Sequence, residues 1–479
     1  MNHSVSDRQP VLRFSALVIL ILFFFWLATG SARSPHLSLD GSGNLSDIGQ
    51  EADIIKNIGL KEEKAHEFLL LLTSAGGRLT GSPEAERAVE LMLELMSDLG
   101  FDKVWKEPVK VKRWVRGEPE VALVRSQKMT QSRLNVCALG NSVATPEDGI
   151  EASVVEVKSF EHLAEMKSAV RNRIVFFNVP MDRTMTGTFV AYSQAAEYRV
   201  KGASEAAKYG AIAAITRSAT FRLDDFPHAG LMVYDDRHPR IPAAAASTKD
   251  AERLSDWLKK DPELKLFLKM NCHHLQPVYS SNLAGQITGS ERPEEIILLA
   301  GHIDSWDLGS GAHDDAAGCV AAIEALRLIR KSGFKPRRTI RAVLFMDEEF
   351  GGTGGQAYAQ AQARISEKHL LAVEQDHGGF MPVGLAIGGE ERIVHKIKTI
   401  EDILRPLGIN WIRPGGGGVD IAPLTRQGVI PASVMVDSQK YFDYHHSVLD
   451  EPSTVHPREL ELQAIILAIL SYFLAQEGV

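Results

Sequence analysis

Cysteine is scarce: Cys137, Cys272 and Cys319 are the three in a chain of 479 residues. They cannot all pair and none stands in a CxxC spacing. That excludes a disulfide-built scaffold, a zinc finger and a thioredoxin-type redox site. Basic residues are in short supply too. Lys and Arg number 53 against 61 Asp and Glu, a formal net charge of −8. No basic cluster stands against that balance, so nucleic acid is not an expected partner. There is no Gly-Lys dipeptide for a phosphate-binding loop and no Gly-x-Ser-x-Gly turn for a nucleophile-elbow serine hydrolase. His66-Glu67 runs into Phe68-Leu69-Leu70, not into the second histidine of a His-Glu-x-x-His zinc helix. Internal repeats are absent, and so are membrane-length apolar runs beyond the N-terminal segment. What remains is ordinary globular material, 44% hydrophobic and 24% charged, long enough for roughly three domains.

Arg8 and Arg13 precede an uncharged run from Ala16 to Ala28. Those 13 residues span about 20 Å as a helix, short of the ~30 Å hydrocarbon core of a bilayer. Gly30-Ser31-Ala32 then supplies the small residues of a signal-peptidase site. Residues 1–32 therefore read as a signal peptide cleaved after Ala32 rather than an uncleaved anchor. The protein is expected to be secreted or periplasmic, with no stable membrane partner after cleavage. Residues 33–50, rich in Ser, Gly and Leu at the start, read as a linker.

Ser82-Pro83-Glu84 is a helix start, with an N-cap hydroxyl, proline at the first position and an early acid, and Gly100 is its stop. From about Asn282 strands alternate with helices. Strands are expected at Ile296–Ala300, Thr339–Met346, Leu371–Gln375 and Pro431–Val436. Helices are expected at about Ala316–Ser332 and Gln356–Ala363, with an amphipathic closing helix at Arg458–Ala475. This alternation predicts an α/β fold, a mixed, mostly parallel sheet flanked by helices. The middle differs, with short strands at Ala152–Val157, Arg173–Phe177, Ala211–Thr216 and Lys265–Met270 and a small-residue helix at Gly202–Lys208. We read residues 117–275 as a domain inserted between the two parts, 51–116 and 276–479, of the α/β domain.

Ligands in such sheets gather beyond the carboxyl ends of the strands, and every expected strand end here is polar. Ile296–Ala300 runs into His302 and Asp304, followed by His313-Asp314-Asp315. Thr339–Met346 ends in Asp347-Glu348-Glu349, and Leu371–Gln375 in Asp376. Tyr444-His445-His446-Ser447 precedes the last helix. Two histidines and three carboxylates on one rim suit two Zn²⁺ ions, because a bridging carboxylate lets the ions sit ~3.5–4 Å apart. In His302-x-Asp304 the carboxylate is placed to hold the second imidazole nitrogen. Of the adjacent Glu348-Glu349, one can bind metal while the other takes a proton from the attacking water. An Asp-Asp or Glu-Glu pair alone is usually a solvated turn. Repetition at successive strand ends is what makes these residues candidates, whereas His273-His274, His377 and His456 fit no such pattern and read as surface or satisfied core histidines.

Four ordered stretches, Leu298–Gly318, Met346–Gly355, Glu374–Phe380 and Tyr444–Asp450, resemble the motifs of the dizinc exopeptidase family of aminopeptidases and glutamate carboxypeptidases. The likeness spans nearly all of the chain after the signal segment, and Trp114–Glu120 and Leu139–Ile150 resemble one of its subgroups. It implies a zinc exopeptidase fold in which the insert is a protease-associated-like domain. By resemblance, one zinc takes His302 and Asp376, the other His446 and Glu349, and Asp314 joins them. Glu348 matches the general base and Asp304 the orienting partner of His302. His446 rather than His445 matches the last ligand, because the family's ligand directly precedes Ser or Thr. Asp420 and the glycine turn at Gly417 resemble a loop near the substrate. His313 occupies a variable position, and Gly354-Gly355 stand where related aminopeptidases often carry Gly-Ser.

The resemblance implies two Zn²⁺ per chain and hydrolysis of dipeptides or short peptides. A single-zinc acyltransferase of glutaminyl-cyclase type and a non-enzymatic binding protein on the same scaffold are the alternatives. Terminus preference is left open, as are a homodimer and a Cys137–Cys272 pairing, because loops and surfaces decide them.

Overall fold

The structure, a computed structural model, describes residues 45–479. The expected signal peptide and the start of the expected linker lie outside the described residues. From Leu45 the chain is already helical, in Leu45–Glu62, so helix occupies the last positions read as linker. Ile48, Ala52 and Ile55 bury one stripe of that helix and explain why it forms there.

The main sheet has eight strands, in the order Lys103–Val115, His273–Ile287, Arg338–Phe345, Arg292–His302, Lys368–Glu374, Ile430–Val436, Pro382–Ile387, Ile412–Pro414. Its four central members, Arg338–Phe345 to Ile430–Val436, are parallel to one another, while antiparallel strands flank them. Arg338–Phe345 is buried along its whole length, as a parallel strand covered on both faces must be.

One face carries the helices Leu45–Glu62, Ala65–Thr73, Ala317–Ser332 and Pro457–Glu477. The closing helix differs from the amphipathic expectation, since Leu460 to Ala475 are all buried. It packs on the sheet side by side with Ala317–Ser332 and is covered by Leu45–Glu62, so no side of it is left for water. It is the one helix among the described residues long and apolar enough to cross a membrane, and it is a core helix.

Strands Lys103–Val115 and His273–Ile287 are antiparallel neighbours, with Val115 opposite His273. The segment between them thus leaves and re-enters the main sheet at one place. It builds a second eight-stranded sheet, in the order Ser132–Arg133, Val121–Arg125, Lys265–Lys269, Ile150–Val157, Ile174–Phe177, Ala213–Arg217, Ala243–Ala246, Val136–Ala138. Its small-residue helix is longer than the sequence indicates, Thr188–Ala207. Two different surfaces cover that helix. Ala203, Ala206 and Ala207 face the second sheet's core, while Ala191 and Ala195 pack with Phe380, Tyr441 and Phe442 of the main unit. Trp114, Trp306 and Phe350 seal the seam between the sheets, with ring centroids 6.1 and 5.1 Å apart. Gly140 is required there, because a Cβ would stand 2.0 Å from the Trp306 ring.

Candidate metal centre

The four parallel strands deliver their following residues to one rim. His302 ends its strand; Asp347-Glu348-Glu349 and Asp376 follow theirs within a few residues, and His446 follows Ile430–Val436 after a short helical turn. Asp314 and Asp315 precede the helix Ala317–Ser332. Gly318 lets that helix approach the sheet, since a Cβ there would meet the Gln375 carbonyl at 1.8 Å.

Asp314 is the hub. Its Oδ1 lies 3.1 Å from His302 Nε2, and its Oδ2 lies 3.1 Å from His446 Nε2. His302 Nε2 is also 3.8 Å from Asp376 Oδ1, and His446 Nε2 is 3.2 Å from Glu349 Oε2. The structure therefore gathers all five expected ligands in the expected two groups sharing Asp314. The donor atoms of His302, Asp314 and Asp376 lie within 4.8 Å of one another. A second cluster is Asp314, His445 and His446. His445, set aside by register, stacks on His446 at 3.4 Å and places its Nε2 3.4 Å from Asp314 Oδ2. Glu349 approaches His446, not His445.

This donor set fits a cation. His302 Nδ1 faces the Asp304 carbonyl at 3.0 Å and His446 Nδ1 faces the Ala229 carbonyl at 3.3 Å. Each Nδ1 must therefore carry the proton, leaving the Nε2 lone pairs aimed at carboxylate oxygens. Asp314 Oδ2 and Glu349 Oε1 are buried without a hydrogen-bond partner. Acceptors facing acceptors need a positive charge between them. Burial opposes charge on the two histidines, yet the surrounding carboxylates hold both His302 and His446 well above the usual imidazole range. A divalent ion supplies that charge without the proton.

Asp304 behaves differently from the sequence expectation. Its carboxylate stands 3.8 Å from His302 Nδ1, beyond hydrogen-bond reach, and the backbone carbonyl of Asp304 orients the imidazole instead. The carboxylate accepts the backbone N–H groups of Asp347, Glu348 and Glu349 at 2.9, 3.2 and 3.4 Å, and the Thr80 hydroxyl at 2.6 Å. It is the anchor of the turn that carries both glutamates. Glu348 itself is half-buried and its carboxylate makes no hydrogen bond with the described residues. Burial pushes that carboxyl well up, opposed by His302 and reinforced by Asp376, Glu349 and Asp420.

Further residues support the centre. Arg78 is fully buried and donates to the carbonyls of Ile303 at 2.6 Å, Gly311 at 3.0 Å and Ser310, tying down the loop between His302 and Asp314. Asp315 accepts the His302 N–H at 3.0 Å and caps the following helix through Gly318 N–H at 3.0 Å. Asp450 accepts the N–H groups of His313 and Asp314 at 2.6 and 3.1 Å. The Trp306 indole donates to Glu349 Oε2. Arg78, Thr80 and Trp306 stand in no motif of metal-ligand spacing, so no local signal marks them.

His313 is a core residue, sandwiched between Phe380 at 4.2 Å and Tyr444 at 5.2 Å, and burial lowers it to about 3. His377, read as a surface or satisfied core histidine, is half-buried beside Asp376; its Nδ1 has no partner, and Phe189 lies 5.1 Å away. Asp420 is 1% exposed, neither of its oxygens is hydrogen-bonded, and its N–H reaches Glu374 Oε1 at 3.4 Å. Gly417 pairs with the Ser433 hydroxyl at 3.2 Å, and the space its Cβ would fill is open.

A model of peptidase family M28 matches residues 282–470. Human carboxypeptidase Q is 36% identical over 436 residues, covering 90% of either chain, and bovine carboxypeptidase Q is 36% identical with the same coverage. Among solved structures, a peptidase M28 precursor from Shewanella amazonensis SB2B superposes with a TM-score of 0.86 at 32% identity, covering 91% of this chain and 98% of its own. A zinc aminopeptidase from Bacillus subtilis, 17% identical, shares the fold at a TM-score of 0.63, covering 87% of this chain and 95% of its own. On likeness that extends over nine-tenths of its length, the chain belongs to peptidase family M28 as a carboxypeptidase Q-like metallopeptidase.

Proposed function

We propose that the chain is an exported dizinc exopeptidase that hydrolyses dipeptides or short peptides. The observation that carries this reading is the pair of ligand groups meeting on Asp314 beside Glu348, a carboxylate with no side-chain hydrogen bond of its own. His302 and Asp376 would hold one zinc and His446 and Glu349 the other, with Asp314 between them. Zinc bound there would supply Lewis-acid polarisation of the scissile carbonyl and acidify the attacking water. Glu348 accepts the proton of that water and returns it to the leaving amine. Asp304 keeps Glu348 in place through the backbone N–H groups of the 347–349 turn. Asp420 and the Gly417 turn border the substrate.

The names of the relatives, a carboxypeptidase and a zinc aminopeptidase, agree with exopeptidase chemistry. The basic flank, short apolar run and small-residue exit of residues 1–32 support export, and the inserted sheet of residues 117–275 is read as protease-associated-like. The test is a dipeptide library with free and blocked termini, assayed with zinc, after chelation and after zinc return. Activity should require one free terminus, vanish on chelation and recover with two zincs per chain. Full-rate cleavage by metal-free protein would overturn the reading.

A further inference from the structure

Two loop residues of the second sheet's unit, His228 and Ala229, hydrogen-bond the His445-His446 pair, while the Tyr192 ring of its long helix packs on His445 at 4.9 Å. His228 Nδ1 lies 2.7 Å from the His445 carbonyl. Ala229 N–H donates to the His446 carbonyl at 2.8 Å, and the Ala229 carbonyl accepts His446 Nδ1 at 3.3 Å. His302 finds its Nδ1 acceptor within its own loop, at Asp304. His446 has no such neighbour and takes its acceptor from a residue 217 positions away. Its backbone is also held at φ +61°, a left-handed conformation that a non-glycine residue keeps only when its surroundings impose it.

The imposing group is itself anchored. His228 is 3% exposed, and its N–H donates to Ser218 Oγ at 2.9 Å. The Ser218 hydroxyl in turn donates to the Ala246 carbonyl at 2.7 Å, at the end of the strand Ala243–Ala246. A continuous hydrogen-bonded path thus runs from the second sheet to the backbone of the His445-His446 pair. Because the His445 carbonyl can only accept, His228 Nδ1 is the protonated nitrogen. Its Nε2 is buried without a partner, and burial lowers the imidazole to about 3, so it stays neutral.

We propose that His228 is a positioning residue for the metal centre. Acting through the His445 carbonyl, and with Ala229 beside it, it holds His446 in the backbone conformation and tautomer that present Nε2 to Asp314 and Glu349. The inserted unit thereby sets the zinc affinity of that half of the centre. The inference rests on the reading of His446 as a ligand. Groups that orient a metal-binding histidine typically account for about 10- to 100-fold in metal affinity.

The test uses the full chain carrying His228→Leu, His228→Asn or His228→Gln, with His446→Ala as reference. Stepwise zinc competition against a chromophoric chelator reads the two dissociation constants, and Co²⁺ substitution reports ligand geometry by its visible absorption. His228→Leu should leave one zinc bound as in the parent and weaken the other by about 10- to 100-fold. Asparagine carries an N–H donor at the distance of Nδ1 and should restore the second zinc and the Co²⁺ spectrum. Glutamine carries its donor at the distance of Nε2 and should not. A merely structural His228 would lower the melting temperature of metal-free and zinc-loaded protein alike and leave both dissociation constants unchanged. That result, or equal zinc binding by the asparagine and glutamine variants, overturns the proposal. Should His446→Ala itself keep two zincs, the ligand reading fails, and the positioning role fails with it. If His446→Ala loses one zinc while His228→Leu loses none, the positioning role fails alone.

Discussion

Glu348→Gln separates chemistry from architecture. The Glu348 side chain makes no hydrogen bond with the described residues, and its carboxyl is pushed well up by burial among Asp376, Glu349 and Asp420. Replacing it with an isosteric amide removes no contact and relieves like-charge crowding. Folding stability should therefore change by no more than about 0.5 kcal/mol. The backbone N–H of residue 348 still reaches Asp304 at 3.2 Å, so the turn keeps its shape and Glu349 keeps its place against His446. The proton acceptor is what disappears, and loss of a general base costs ~10²–10⁴-fold, or about 2.7–5.5 kcal/mol of transition-state stabilisation. The loss should fall on kcat, with KM little changed. Single-turnover hydrolysis of a dipeptide, zinc content and melting temperature, measured on one preparation, make the test. Glu349→Gln should behave differently and lose zinc as well as rate. A Glu348→Gln enzyme within threefold of the parent rate, or one that sheds zinc while Glu349→Gln retains it, would refute the assignment.

Three further predictions probe other parts of the structure. His446→Ala should bind one zinc fewer, whereas His445→Ala should keep both, since only His446 approaches Glu349 and Asp314 together, at 3.2 and 3.1 Å; metal analysis decides, and the reverse result moves the ligand to His445. Thr80→Val deletes the 2.6 Å hydrogen bond to Asp304 at nearly constant volume. It should cost about 1.5–3 kcal/mol of stability in a denaturant titration and lower kcat, and Thr80→Ser should behave as the parent; a valine variant with unchanged stability contradicts the anchoring role. Far from the site, burial beside Glu324 holds Glu461 at about 8, against about 4.3 in an unfolded chain. The folded state favours the protonated form, so its stability falls as pH rises from about 4.3 toward 8 and then levels off. Glu461→Gln keeps an acceptor for the Ala65 N–H and should flatten that slope, raising the melting temperature most at pH 9. Parallel melting curves across pH 5–9 would rule this out.

The strand ends were legible in the sequence because a parallel strand buried on both faces leaves an uninterrupted apolar run. Polar residues directly behind such runs stand out, and His302, Glu348, Glu349 and Asp376 lie there. The N-cap and stop of the helix Pro83–Asp98 were legible for the same local reason: Ser82 accepts the Ala85 N–H at 3.1 Å, a bond made within one turn. The closing helix was misjudged as amphipathic because periodicity does not tell how many neighbours will cover it. Tertiary structure alone decided the side-chain directions. Asp304 stands two residues from His302, yet its carboxylate turns to the 347–349 turn and to Thr80, 224 positions away. Arg78 reaches the carbonyls of a loop 225 positions on, and Ala229 supplies the acceptor for His446 from a loop of the second sheet's unit. Spacing along a chain encodes contacts within one turn or one strand, whereas these hydrogen bonds exist only after segments far apart in the chain have been folded against one another.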